Sequence, residues 1–374
     1  MELHRDLIIE EVNKKDKITF AEFMQMALYH TKYGYYNSDK ERVGRFGDYY
    51  TSPAVHRVFG ELIAKQLEEM WRIMGGGQFT VVELGANRGW LCQDILSCIQ
   101  NTWPEFYRAV RYIIVESNPY AKRKQELLFN SLGFKEKVAW HELTPDGFTF
   151  DKIQGCFLSN EFFDALPVHR LRTKKGILKE VYVSYNGNDF WEIEDEVSGC
   201  DLKHYAEALP EDLKEVQEYE VCPDSGRWIQ FISDALQCGF VITIDYGDSI
   251  DNLCYRYSNG GTLRCYYKHT VNRDFYKRIG EQDITAHVDF TNLMNTGRRW
   301  GLETTGFVRQ SHFLIALGML DRLDKAHTDT ETILKIKNLF HPEGMGDVFK
   351  VLIQHKHIKN PQVSGLKALQ SIKM

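Results

Sequence analysis

The run Phe79-Thr-Val-Val-Glu-Leu84 is the feature that most constrains this chain, because it is β-rich and shows no polar alternation. A strand with that pattern is buried on both faces, which requires a sheet covered by helices on each side. Gly85-Ala-Asn-Arg-Gly89 follows at once, and then a helix from about Trp90 to Ile99. The same alternation recurs downstream. Tyr112 to Glu116 predicts a second buried strand with a helix after Pro119, and Val138 to Trp140 a third strand. Gly155 to Asn160 and Phe240 to Asp245 predict the fourth and fifth. Strands alternating with helices at this spacing pair in parallel through right-handed crossovers, giving an open α/β sheet. Phe307 to Leu317 is expected to add a helix, and Val348 to His355 a last antiparallel strand.

The flanking segments read differently. From Leu3 to Val12 apolar residues recur at helical spacing, and Thr19 is placed to cap a second helix. Tyr33-Gly34-Tyr35-Tyr36 ends that helix, and Val58 to Met74 is an amphipathic helix closed by Gly75-Gly76-Gly77. Residues 1–76 are therefore expected to form a helical N-terminal cap, and residues 77–374 a core with insertions at about 168–238 and 248–299. The first insertion carries a hairpin signal: Lys179 to Tyr185 and Asp189 to Ile193 flank an Asn186-Gly187 turn.

At 374 residues the chain is long enough for such a core with extra segments. A net charge of -6 argues against nonspecific nucleic-acid binding, which rests on a large basic excess. The eight cysteines match neither a zinc ribbon nor a CxxC pair, so no metal site and free thiols are expected. Glu2, Asp6, Glu10 and Glu11 are unlike a signal or transit peptide, and no apolar run approaches the roughly 20 residues that span a bilayer. A cytoplasmic protein without membrane insertion is expected. Oligomeric state is not legible.

Open α/β sheets bind ligands beyond the carboxyl ends of their strands. The residues there are Glu83, Gly85, Asn87 and Gly89 after the first strand, and Glu116 and Ser117 after the second. Glycines let the backbone approach a nucleoside, and Glu116 is placed to accept from ribose hydroxyls. NAD and S-adenosylmethionine both carry such a ribose. The G-x-N-x-G pattern lacks the G-x-G-x-x-G spacing of a pyrophosphate cradle, and Glu83 suits the amino-acid part of a methyl donor; both favour S-adenosylmethionine. Taken alone, the loop is also compatible with a plain strand-to-helix turn.

Longer strings narrow this further. GRFGDYYTSPAVHRVFG (Gly44 to Gly60), VELGANRG (Val82 to Gly89), Val115-Glu-Ser, NEFFDALP (Asn160 to Pro167), Gly261-Thr-Leu-Arg and DITAHVDF (Asp283 to Phe290) resemble the MidA-type methyltransferases. The resemblance runs in order from about Ile18 to Gln354. It implies a class I Rossmann-like methyltransferase sheet with a helical cap and an inserted antiparallel β/α segment, and S-adenosylmethionine as cofactor. The family includes the mitochondrial complex I assembly arginine methyltransferase, which implies a protein acceptor, arginine as the methylated residue, and a respiratory complex I subunit as a partner. Two departures stand out: Ala86 and Asn87 replace the family's Pro-Gly in ELGPGRG, and Ala54 replaces the acid of TSPE. They leave open a catalytically silent assembly protein on the same fold.

Asn160 and the acids behind it lie at the carboxyl end of the fourth strand, beside the methyl group in this fold class. An arginine acceptor stays protonated to about pH 12 or above, so it must be held, oriented and relieved of a proton. Glu161 and Asp164 are the candidate acceptor-binding acids, with Asn160 nearer the cofactor; the bland alternatives are a solvent-facing Glu161 and a helix cap at Asp164. His287 is a candidate proton carrier or a structural histidine. Thr51 and Ser52 are expected to contact the cofactor from a closing loop, whereas Tyr33, Tyr35 and Tyr36 line a cleft or form core.

Overall fold

The computed structural model describes residues 2–45, 47–141, 152–174, 177–199, 202–203, 218–257, 260–325 and 330–368. The chain forms two compact units. One comprises residues 1–49, 163–228 and 247–293; the other comprises residues 50–162, 229–246 and 294–374.

The second unit holds the sheet that the apolar runs predict. Its strands are β1 (Phe79–Leu84), β2 (Val110–Val115), β3 (Val138–His141), β4 (Ile153–Asn160), β5 (Leu236–Asp248), β6 (Glu303–Arg309) and β7 (Phe349–Lys356). They lie in the order β6-β7-β5-β4-β1-β2-β3. β1 pairs in parallel with β2 and β4, β2 with β3, and β4 with β5. β7 runs antiparallel between β5 and β6. Strand order reverses between β1 and β4, where a doubly wound sheet opens a crevice at its carboxyl ends. Val81, Val82, Phe157, Leu158, Ile242 and Ile353 are among the buried residues of the strands. The helices Val58–Ile73 and Trp90–Thr102 pack on each other, and their buried faces join the same core as β1.

One expectation is corrected here. The stretch beginning at Phe307 continues strand β6 to Arg309, and the helix spans only Gln310–Ala316. Among the described residues β6 is an edge strand paired with β7 alone, with a register shift at Thr304/Gly306. Half-exposed residues replace the continuous apolar run that marked the inner strands.

The first unit is built from three separated segments. Its helices include Glu2–Lys15, Phe20–Tyr29 and Ile250–Tyr257. Thr19 caps the second reciprocally: its Oγ1 accepts from the Glu22 amide at 3.1 Å, and Glu22 Oε2 accepts from the Thr19 amide at 2.8 Å. Ile18–Thr19 pairs antiparallel with Ile177–Tyr185, which also pairs with His169–Lys174 and Phe190–Asp195. In the hairpin Tyr185 pairs with Phe190, so four residues turn, and Asn186 Oδ1 accepts from the amides of Asn188 and Asp189 at 3.0 Å each. A small three-stranded sheet of Arg264–Tyr267, Thr270–Asn272 and Asp283–Thr285 completes this unit. The stretch expected to be a helical cap, residues 1–76, is thus divided at Tyr49, with Val58–Ile73 packed on the sheet of β1–β7. Part of the first insertion, residues 204–217, lies outside the described residues.

Candidate functional site

The turn after β1 is set by three alternate departures from ordinary backbone. Gly85, Asn87 and Gly89 have φ of +67°, +50° and +76°. A Cβ on Gly85 would sit 3.0 Å from the Phe162 ring, and one on Gly89 would sit 2.9 Å from Phe129. Glycine is demanded at both by conformation and by space. Asn87 occupies the left-handed region that asparagine tolerates better than other side-chain-bearing residues, so the departure from the family's glycine leaves the turn intact. The helix Trp90–Thr102 begins directly after it with no side-chain cap, so its first amides are left for another acceptor.

Glu116 at the end of β2 faces this turn. Its Oε2 accepts from the Asn87 amide at 3.0 Å and from Gln125 Nε2 at 3.4 Å, and its Oε1 accepts from the Asn118 amide at 3.0 Å. Ser117 is exposed, and its amide also helps hold the carboxylate. Burial raises the Glu116 pKa, and the amides of Asn118 and Asn87 work against that rise. Glu83, 3% exposed, is pushed up to about 7 by burial; the 2.7 Å hydrogen bond from the Tyr112 hydroxyl lowers it, and Glu116 raises it further.

At the end of β4, Glu161 holds a left-handed backbone, φ +53°, fixed by its amide donating to Ile244 O at 2.9 Å. Its Oε1 accepts from the Ser52 amide at 3.1 Å and from Asn160 Nδ2 at 3.0 Å. The other Asn160 atom, Oδ1, is buried with no hydrogen-bond partner among the described residues. An orphaned acceptor beside the Gly85–Gly89 turn is what a bound donor-bearing ligand would satisfy, and the residues present fit a nucleoside with a cationic amino-acid tail. Ser52 starts the short helix Ser52–Val55, with Thr51 at its N-cap; the Ser52 hydroxyl donates to Gln310 Oε1 at 3.4 Å.

One unit therefore brings together Glu83, Gly85, Asn87, Gly89, Glu116, Ser117, Thr51, Ser52, Asn160 and Glu161. Asp164 and His287 belong to the other. Asp164 is buried, and its carbonyl accepts from the Ala286 amide at 3.0 Å. No helix follows it, since the chain turns into strand His169–Lys174, so a helix-cap role is excluded. The His287 amide donates to Thr262 Oγ1 at 3.0 Å, and its ring meets Tyr257 edge-on at 4.9 Å. Tyr35 is core: it is fully buried and donates to Asp48 Oδ2 at 2.8 Å.

Sequence reasoning missed two residues. Asp245 is buried on β5; its Oδ2 accepts from the Phe162 amide at 3.2 Å and its Oδ1 from the Tyr246 amide at 2.9 Å, holding the backbone just after Glu161. The rule that flagged Glu116 applies equally to an acid near the end of the fifth strand. Gln125 is fully buried on the apolar stripe Ala121, Gln125, Phe129 of helix Pro119–Ser131. A polar residue on that stripe was the available signal.

The sequence profile of an S-adenosyl-L-methionine-dependent methyltransferase family matches residues 62–308. The Rattus norvegicus protein named protein arginine methyltransferase NDUFAF7, mitochondrial, is 27% identical over 97% of this chain and 87% of its own. The Homo sapiens protein of that name is 26% identical over 94% of this chain and 83% of its own. The crystal structure of a Burkholderia thailandensis protein bound to S-adenosyl-homocysteine superposes with a TM-score of 0.87 at 23% identity, covering 97% of this chain and 94% of that one. It shares the fold. The relatives are named mitochondrial, which overturns the cytoplasmic location expected above. The acidic residues behind that expectation lie on a helix whose Ile8 and Val12 are buried in the first unit's core, so their charge reports on folding rather than on compartment. No helix among the described residues is long and apolar enough to cross a membrane. With the profile spanning more than half of its length, the chain belongs to the S-adenosyl-L-methionine-dependent methyltransferase family and is an enzyme that takes its methyl group from that cofactor.

Proposed function

We propose that the chain methylates a protein acceptor, and that the methylated group is an arginine side chain. The observation that carries this reading is Glu161, a carboxylate held at the carboxyl end of β4 by a left-handed backbone and two hydrogen bonds. The arginine methyltransferase names of relatives covering nearly the whole chain support it. S-adenosylmethionine supplies a methyl group already activated on a sulfonium, so the residues around it act mainly by positioning. A guanidinium adds one requirement, a carboxylate that pairs with the cation and takes its proton as the methyl arrives. Glu161 fills that role; Asp164 and His287, in the other unit, are candidates on the sequence resemblance alone.

For the methyl donor, Glu116 takes the ribose. The Asn160 oxygen and Glu83 suit the donor's ammonium group, and the Gly85, Asn87 and Gly89 backbone, with Ser117, Thr51 and Ser52, lines the nucleoside. A mitochondrial location follows the relatives' names, and a respiratory complex I subunit is the first acceptor to try. The test is transfer of a tritiated methyl group to proteins of the host's own lysate, followed by mass spectrometry of the labelled band. Label on arginine is expected. Label confined to lysine, a carboxyl group or a small molecule refutes the reading.

A further inference from the structure

Gln125 is out of place by composition. It is 0% exposed on a helix face that otherwise carries Ala121 and Phe129, where a polar amide is costly unless satisfied. Both ends are satisfied, in one orientation of the amide. Its Oε1 accepts from Trp140 Nε1 at 2.8 Å, while its Nε2 donates to Asn87 O at 2.7 Å and reaches Glu116 Oε2 at 3.4 Å. An indole N–H can only donate, so Trp140 fixes which end of the amide faces the turn. The Asn87 peptide is thereby held on both sides, its N–H on Glu116 and its C=O on Gln125.

We infer that Gln125 is a positioning residue of the methyl-donor site: its amide, oriented by Trp140, locks the left-handed Asn87 turn onto the Glu116 carboxylate and so sets the recognition of the ribose. Nothing in the motif strings points to either residue. The lock is cooperative by construction, because the hydrogen-bonded link from Trp140 to the turn runs through the Gln125 amide, while its ring packs beside Phe129 at 6.1 Å. The inference rests on the reading that Glu116 takes the ribose, so Glu116→Gln is measured alongside.

The experiment is calorimetric binding of S-adenosylhomocysteine to the full chain and to four variants: Gln125→Met, Trp140→Phe, the double variant, and Glu116→Gln. Gln125→Met should weaken binding about tenfold, the scale of one hydrogen bond to a charged group. Trp140→Phe should weaken it about threefold, and the double variant should be no weaker than Gln125→Met, since coupled partners are not additive. Adenosine and 2′,3′-dideoxyadenosine, measured by competition, give a readout that general loosening would not move. The wild type should prefer adenosine, and Gln125→Met should lose most of that preference. A folded Gln125→Met with unchanged affinity, or a Trp140→Phe loss that adds in full to that of Gln125→Met, overturns the inference. Should Gln125→Met fail to fold, Trp140→Phe decides alone: retained wild-type affinity overturns it. If Glu116→Gln keeps both affinity and ribose preference, the underlying reading of Glu116 fails instead.

Discussion

Replacing Glu83 by glutamine should stabilise the protein above neutrality and weaken its hold on the methyl donor. The carboxyl is 3% exposed near the end of β1, and burial lifts its pKa from the usual 4.5 to about 7. Such a group binds its proton more tightly folded than unfolded, so the folded state holds more protons between those two values. The direction follows: stability is complete below about pH 4.5, declines as pH rises to about 7, and is flat above. At about 1.4 kcal/mol per pKa unit the full decline is roughly 3 kcal/mol. Glutamine keeps the shape and can accept the Tyr112 hydrogen bond, but it carries no charge to desolvate. Glu83→Gln should therefore raise the unfolding free energy by roughly 2–3 kcal/mol at pH 8 and by little at pH 5. Urea denaturation of both proteins at the two pH values measures the difference, and calorimetry with S-adenosylhomocysteine at pH 8 should show the accompanying loss of affinity. A variant equally stabilised at both pH values, or destabilised at pH 8, would show that the carboxyl does not titrate as its burial implies.

Asn87→Gly should retain or improve binding of S-adenosylhomocysteine, because glycine removes both side-chain bulk and the left-handed cost at φ +50°; a large loss in calorimetry would give the asparagine side chain a contact of its own. Glu161→Gln keeps an oxygen for the Ser52 and Asn160 donors, so donor affinity should hold while methyl transfer to the labelled lysate protein falls at least about a hundredfold. Asp164→Asn should follow the same pattern. Equal losses of binding and turnover in Glu161→Gln would move the residue into the donor site.

The parts of the fold that sequence reveals are those whose local pattern and final environment coincide. β1, β2, β4 and β5 are flanked on both sides by other strands, so their residues are apolar without alternation and they stand out. β6 lies at the edge, is half-exposed and carries a bulge at Thr305, so its residues resemble a helix start as readily as a strand. The division into units was not legible for a different reason. Ile18–Thr19 pairs with Val183 and Tyr182, and no local pattern records a partner that far along the chain. At the site, Gly85, Gly89 and Glu116 were legible because glycine and a strand-end acid are rare, informative choices. Gln125 and Trp140 were not, because their role lies in which atoms they present to each other across two elements.

The strained positions add a physical constraint on the site. Gly85, Asn87, Gly89 and Glu161 all have positive φ, and they follow the carboxyl ends of β1 and β4, the adjacent strands between which strand order reverses. Glycine takes such a conformation freely. Glutamate does not, and a left-handed non-glycine residue costs on the order of 1 kcal/mol or more, tolerated only where its surroundings over-determine it. The surroundings of Glu161 do so: Ile244 O holds its amide, Asp245 holds the next amide, and Ser52 and Asn160 hold its carboxylate. If a sharp turn were the whole requirement, glycine would supply it with less strain. A side chain at that position instead puts a carboxylate where the turn places it. It orients Asn160, whose Oδ1 has no hydrogen-bond partner among the described residues, and it anchors the first amide of the Ser52–Val55 helix. The backbone strain, the buried orphan oxygen and the tethered loop are consequences of one placement, that of a charge at the carboxyl end of β4.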